Sequence, residues 1–464
     1  MSANSSEHTL QAGYAAPADE YSADAKRRLG IRVVMSSYVG STVEWFDFFI
    51  YSIASASVFN VLFFPELGST GGTLVAFATI AIGYLVRPLG GVIYGHFGDR
   101  IGRKKMLISS IVLMGVATML VGIMPTYAQI GLWAPLLLMA LRMLQGLAVA
   151  GEWGGGLLMT LEHAGPGKRG LWSCVIGMGQ CSGLLLGTAA FGLVSRLPEA
   201  QLLSWGWRLP FLGAVLLIAI GLWMRLGISE SPVFLEQKRK DEAQRKAPRL
   251  PLAQVLQTQW RQVLQAALMV SGPFVISALI SPFSIAYSVQ AGFPRVIALN
   301  AATAAALCQV IGMFCGGWLS DKVGRRPVFM AAAVLMATNI SALLYLATLH
   351  DSGMLVLGFA LAGLAHGFMF GPLGAFITEL FTTSTRFTGA SLGYQLAGAL
   401  GGGFTPLIAG ALLAAGGGVP HAQYVIAFGA LFCLVSFIVA LKSRETYRED
   451  LNAVGAASGA GSGA

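Results

Sequence analysis

Gly95-His96-Phe97-Gly98-Asp99-Arg100-Ile101-Gly102-Arg103-Lys104-Lys105 is a short polar loop between two apolar runs. Gly317-Trp318-Leu319-Ser320-Asp321-Lys322-Val323-Gly324-Arg325-Arg326 repeats its plan 222 residues later. Each copy sets a glycine four residues before an aspartate, a base directly after it, and a second glycine ahead of a basic pair. A second pattern recurs in the same register: Glu162 and Arg169 are seven apart, as are Glu379 and Arg386. Two motifs returning at corresponding points predict a chain built from two parallel repeats.

Outward from these loops, apolar stretches fill the chain. Six lie between residues 33 and 227 and six between 262 and 442, each at or near the ~20 residues that a helix needs to cross the hydrocarbon. A spanning segment must satisfy its own backbone, and runs of this length without alternation mean helices. Twelve membrane helices in two pseudo-symmetric six-helix bundles are therefore expected, an all-α membrane protein. Composition agrees, since only 11% of the 464 residues are charged and 55% are hydrophobic, against roughly a quarter charged in soluble domains. That balance excludes a soluble enzyme and a disordered scaffold. The 5 cysteines are too sparse for a disulfide framework, and their spacing suits no metal. The run beyond Ile31 is too long for a cleavable signal core.

The expected organisation is an N-terminal tail (1–32), a first bundle (33–227), a polar linker (228–261), a second bundle (262–442) and a Gly/Ala/Ser-rich tail (443–464). The linker carries Lys238, Arg239, Lys240, Arg245, Lys246 and Arg249. The net charge of +9 is not spread at random. With the N-terminus inside, 25 of the 30 Lys and Arg fall on cytoplasmic segments, so the positive-inside rule puts both termini in the cytoplasm. The basic surplus then orients the chain in the bilayer and implies no nucleic-acid partner.

The two loops resemble the G-x3-D-[RK]-x-G-[RK]-[RK] signature of the major facilitator superfamily. Glu44-Trp45-Phe46-Asp47-Phe48, Arg87-Pro88-Leu89-Gly90-Gly91, Gly151-Glu152-Trp153-Gly154-Gly155, Gly206-Trp207-Arg208-Leu209-Pro210-Phe211 and Glu379-Leu380-Phe381 look like the metabolite:proton symporters within it. Gly72 to Leu107 and Gly393-Tyr394-Gln395 look most like the shikimate-type branch, and the resemblance spans roughly residues 33 to 445. It implies a proton-driven importer of a small organic acid in a bacterial inner membrane, working by alternating access as a monomer without a cofactor. It also implies that Asp99, Arg100, Arg103, Glu162, Arg169, Asp321, Arg325, Glu379 and Arg386 form a conformational switch. Such groups pair across the halves when the carrier faces outward and part when it opens inward.

Charges within spans are costly and need a reason. At ~1.5 Å per residue, Glu44, Asp47 and Arg142 all fall near the midplane. Glu44 and Asp47 are three apart and share a helix face. In a partly dry cavity both cannot easily ionise, so one is expected to take up a proton near neutral pH, with Asp47 the first choice and Glu44 the second. Arg142 reads as the only cation at that depth in the first half, and its planar fork suits an organic carboxylate. Its competing role is counter-ion to Asp47. Gln180, Tyr394 and Gln395 are candidates to hydrogen-bond the substrate, and Glu152, toward the cytoplasm, reads as a gate or a helix contact.

Two other readings compete with organic-acid symport. A proline/betaine-type zwitterion symporter would lean on an aromatic face such as Trp45 or Trp153, and a proton antiporter would use the same fold. A sensor that transports nothing would want a long soluble signalling domain. No nucleophile-base pair, metal cluster or nucleotide loop supports an enzyme.

Overall fold

The computed structural model describes residues 23–164, 167–228, 251–382 and 385–448, with residues 230, 235 and 239 between them. Residues 1–22, most of the linker with its basic run, and the tail beyond 448 lie outside the described residues. Twelve helices carry the fold: α1 (Ala23–Ala54), α2 (Gly68–Ile101), α3 (Arg103–Ile123), α4 (Trp133–His163), α5 (Arg169–Val194) and α6 (Arg208–Leu226) in the first half. The second half holds α7 (Trp260–Gln290), α8 (Arg295–Val323), α9 (Arg325–Leu349), α10 (Ser352–Thr378), α11 (Arg386–Ala415) and α12 (Gln423–Lys442). Eleven of the described helices are long and apolar enough to cross a membrane. The twelfth, α1, falls short of that standard because Glu44 and Asp47 sit in its apolar half.

Several helices outrun their apolar cores. α1 begins at Ala23, inside the expected tail, and α2 continues to Ile101, seven residues past the apolar run that ends at 94. Lys, Arg, Leu and Ala are good helix formers and supply the added first turns of α1, whereas the added residues of α2, Gly95 to Ile101, include Gly95 and Gly98, which pack on Thr388 and Phe387. The two repeated loops turn at Gly102 (φ +116°) and Gly324 (φ +119°), where a side chain would be strained. α1 runs directly into a π turn at Ser55–Phe59, and the corresponding helix α7 carries one at Leu279–Phe283. The duplication is thus visible in backbone irregularity as well as in motif.

Within the first half, Trp207 is fully buried with Phe59 and Phe63 edge-on at 5.9 and 5.8 Å. Its neighbour Arg208 donates to the carbonyl oxygens of Gly122 and Met124 (2.9 and 2.8 Å), which closes the end of α3. Large apolar side chains such as Leu216 and Trp223 point outward, as a lipid-facing surface requires.

The halves meet along two seams. α2 and α4 pack on α11, and α5 packs on α8 and α10. Gly91, Gly95 and Gly98 line α2 against Gln395, Thr388 and Phe387, and a methyl group at Gly95 or Gly98 would collide with α11. Small residues let membrane helices approach this closely. These seams run toward the face that carries the two repeated loops, hereafter the basic face.

Candidate functional site

The first half encloses a narrow cleft near its centre, lined by Glu44, Asp47, Arg87, Arg142 and Gln145, with no room for a metabolite in this conformation. α1 supplies both carboxylates from one face, α2 supplies Arg87, and α4 supplies Arg142 and Gln145. Asp47 accepts hydrogen bonds from Thr118 Oγ1 (2.5 Å) and Gln145 Nε2 (2.8 Å). Arg142 lies 3.6 Å from the other Asp47 oxygen, donates to Gln145 Oε1 (3.2 Å) and rests 4.2 Å from the centre of the Tyr51 ring. A side chain at Gly83 would press on the Arg142 guanidinium, so that glycine makes room for it. The expected counter-ion role of Arg142 is therefore realised in this state.

Arg142 is not the only cation at this depth: Arg87 lines the same cleft and is 4% exposed. It rests 4.0 Å over the Tyr84 ring, its Nε is buried without a partner, and no described residue hydrogen-bonds or ion-pairs with it. From Arg87 the helix α2 runs on to Ile101, about 21 Å at ~1.5 Å per residue. Thr118 and Gln145, which fix Asp47, are neutral residues in apolar helices and gave no sequence signal. Glu44 makes no hydrogen bond or ion pair among the described residues; the charged groups facing it are Arg87 first, then Glu152, Arg225 and Asp47.

The other candidates sit on the seams. Gln180 donates to Ser277 (3.3 Å) and accepts from Gln309 (3.3 Å), a polar bridge between the halves. Tyr394 stacks flat on Trp153 (ring centres 3.5 Å apart, 8° between planes) with Phe274 edge-on, and lies near Glu44 and Arg87 without lining the cleft. The stack covers the Trp153 face that a betaine would need. Gln395 is fully buried with both amide atoms unpartnered.

Glu152 does not reach a seam. It forms a buried ion pair with Arg225 and accepts from Ser110 (3.2 Å), while Arg225 donates to the Leu107 carbonyl. These contacts all lie within the first half, so of the two expected roles the helix contact is the one present. Arg225 occupies the last turn of α6 and is 1% exposed.

On the basic face the repeated motifs interlock. Asp99 accepts from the Thr388 backbone N–H (3.1 Å) and Oγ1 (2.9 Å) at the start of α11. Asp321 accepts from the N–H groups of Gly170 (2.8 Å) and Leu171 (2.9 Å) at the start of α5, and from Arg325 (2.6 Å). Each aspartate thus holds the positive end of a helix from the opposite half. Arg103 pairs with Glu162 and Arg325 with Glu379 (3.4 Å) inside their halves, and Arg169 reaches Glu379 across the boundary at 3.6 Å. Burial pushes the Glu379 carboxyl above its ordinary range, although Arg325, Thr446 and Arg169 pull it down. Arg386 donates to the Phe381 carbonyl (3.3 Å), and Arg100 is exposed and joins none of these pairs.

A third repeat completes the pattern. Glu230 accepts from the N–H groups of Arg103 and Lys104 (both 3.2 Å), and Glu445 from those of Arg325 and Arg326 (2.9 and 3.0 Å). Each follows the last helix of its half and caps the third. Glu230-Ser231 and Glu445-Thr446 were the available signal, two residues too common to stand out.

Comparison with known proteins places this geometry. The Sugar (and other) transporter family profile matches residues 33–457. The Shikimate transporter of Escherichia coli strain K12 is 38% identical over 422 residues, covering 90% of this chain and 95% of that one. The Inner membrane metabolite transport protein YhjE of the same organism is 37% identical, with 82% and 87% covered. The structure of the proton:xylose symporter XylE bound to 6-bromo-6-deoxy-D-glucose superposes with a TM-score of 0.76 at 16% identity, over 93% of this chain and 99% of that one. These relatives are transporters and not enzymes.

Proposed function

Because the chain belongs to the Sugar (and other) transporter family of the major facilitator superfamily, we propose that it is a proton-coupled symporter that imports a small organic acid by alternating access. It is a multi-pass membrane transporter of small metabolites. The proton and the acid are our reading. The observation that carries it is the cleft, in which two carboxylates and two guanidinium groups are each at most 5% exposed near the middle of the bundle.

Four buried ionisable groups are costly to keep in a membrane interior, and they mark ion and proton pathways. The guanidinium groups offer planar forks for a carboxylate, and the carboxylates offer places for a proton. The substrate named for the Shikimate transporter is itself a carboxylic acid, which suits such a site. The positive-inside balance sets the basic face in the cytoplasm, so contacts across the seams there close the inner side. The switch groups part when that side opens. Each chain holds a whole cleft, so a monomer suffices, and the proton gradient drives the cycle without a cofactor.

Uptake into proteoliposomes, with an imposed inward proton gradient and a panel of mono-, di- and tricarboxylates, proline and betaine, tests this reading. We expect a carboxylate to accumulate several-fold over its external level and to leak back when the gradient is collapsed. Accumulation of betaine alone, or carboxylate entry indifferent to the gradient, refutes it.

A further inference from the structure

The two cations of the cleft have unequal surroundings, and from this we infer a division of labour: Arg87 receives the substrate carboxylate, Arg142 stays with Asp47, and Glu44 takes the single proton that accompanies the acid. This rests on the organic-acid symport reading above and names the groups that execute it.

Arg142 is occupied by Asp47, Gln145 and the Tyr51 ring. Asp47 is in turn held by Thr118 and Gln145 as well as by Arg142. An entering carboxylate that took Arg142 would leave Asp47 buried without its counter-ion, a strongly unfavourable arrangement. Arg87 presents no such obstacle. It is 4% exposed, without a hydrogen bond or ion pair among the described residues, and aimed into the cleft above Tyr84. Pro88, directly after it, has no N–H to give the Tyr84 carbonyl, so the α2 backbone is locally loosened beside the guanidinium.

Charge balance then fixes the proton. The cleft holds Glu44, Asp47, Arg87 and Arg142, two negative and two positive when all are ionised. One more carboxylate makes the site net negative in a medium that penalises uncompensated charge. One proton per carboxylate restores neutrality. Asp47 keeps three partners throughout, whereas Glu44 has none and loses the nearby field of Arg87 once the substrate occupies that cation. Glu44 also faces Asp47 on its own helix, the Glu152–Arg225 pair of α4 and α6, and the Tyr394 hydroxyl of α11. The proton enters on Glu44 from the water of the open outer face and leaves from it to the basic face when that side opens.

The test uses the full-length carrier in proteoliposomes with shikimate as probe, or whichever monocarboxylate the panel identifies. Wild-type uptake should respond to the proton gradient and be indifferent to a potassium-clamped membrane potential, since one proton and one carboxylate move together. Arg87→Gln should raise KM about 10- to 100-fold, and Arg87→Lys should raise it as well, because an ammonium lacks the fork. Glu44→Gln should keep substrate exchange while losing accumulation driven by the gradient. Uptake steered by potential, an unchanged KM in Arg87→Lys, retained accumulation in Glu44→Gln, or loss of its exchange each overturns the assignment. If neither Arg87 variant can be purified folded, the Glu44→Gln pair of assays decides. A wild type that moves no carboxylate in response to the gradient defeats the symport reading itself, a result separable from all of these.

Discussion

Replacing Asp99 and Asp321 together with asparagine swings the carrier toward the state open at its basic face. Each aspartate accepts two hydrogen bonds from the first turn of a helix in the opposite half, Asp99 from Thr388 and Asp321 from Gly170 and Leu171. Asparagine keeps the shape and one acceptor oxygen but loses the charge that the helix ends attract. When the seams open, water takes over these N–H groups, so the net loss is a fraction of the charge-assisted bonds, about 1–2 kcal/mol per site. The pair then shifts the balance by ~2–4 kcal/mol, roughly 30- to 1000-fold in population. Ser391→Cys reports the shift in a background with the five native cysteines replaced, because Ser391 is fully buried in the α2–α11 seam here. Labelling from the basic face should rise steeply in the double variant and modestly in each single one. Equal labelling in all of them would make the aspartates static anchors.

The second large effect is on stability. Glu152→Ala should lower stability by about 3–5 kcal/mol, since it strands the Arg225 guanidinium in the dry interior of the first half. Arg225 is 1% exposed and otherwise has the Leu107 carbonyl. Removing both charges with Glu152→Leu and Arg225→Met should recover most of the loss, because apolar isosteres replace buried pairs at little net cost. Thermal unfolding in detergent of the wild type, Glu152→Leu, Arg225→Met and their double variant closes the cycle, with a coupling of ~2 kcal/mol or more expected for groups in contact. A Glu152→Ala protein as stable as wild type would break this account. A double variant that is stable but cannot turn over would return Glu152 to the gate.

The sequence by itself determined the class, the two repeated halves and the loop motifs, because each is written locally. Hydropathy over ~20 residues defines a span whatever surrounds it. Gly102 and Gly324 are needed for a backbone turn that neighbours do not alter. The depth of Glu44, Asp47 and Arg142 was also legible, since rise per residue is constant along a helix. Tertiary structure alone decided which of these charges meet. Arg87 of α2 lines the cleft, Arg225 in the last turn of α6 pairs with Glu152, and Tyr394 stacks on Trp153. A helix fixes depth and relative azimuth along one chain segment. Which face turns toward which neighbour depends on how twelve helices pack, and in this chain on glycines such as Gly83, Gly95 and Gly98, whose missing side chains set how closely the helices approach.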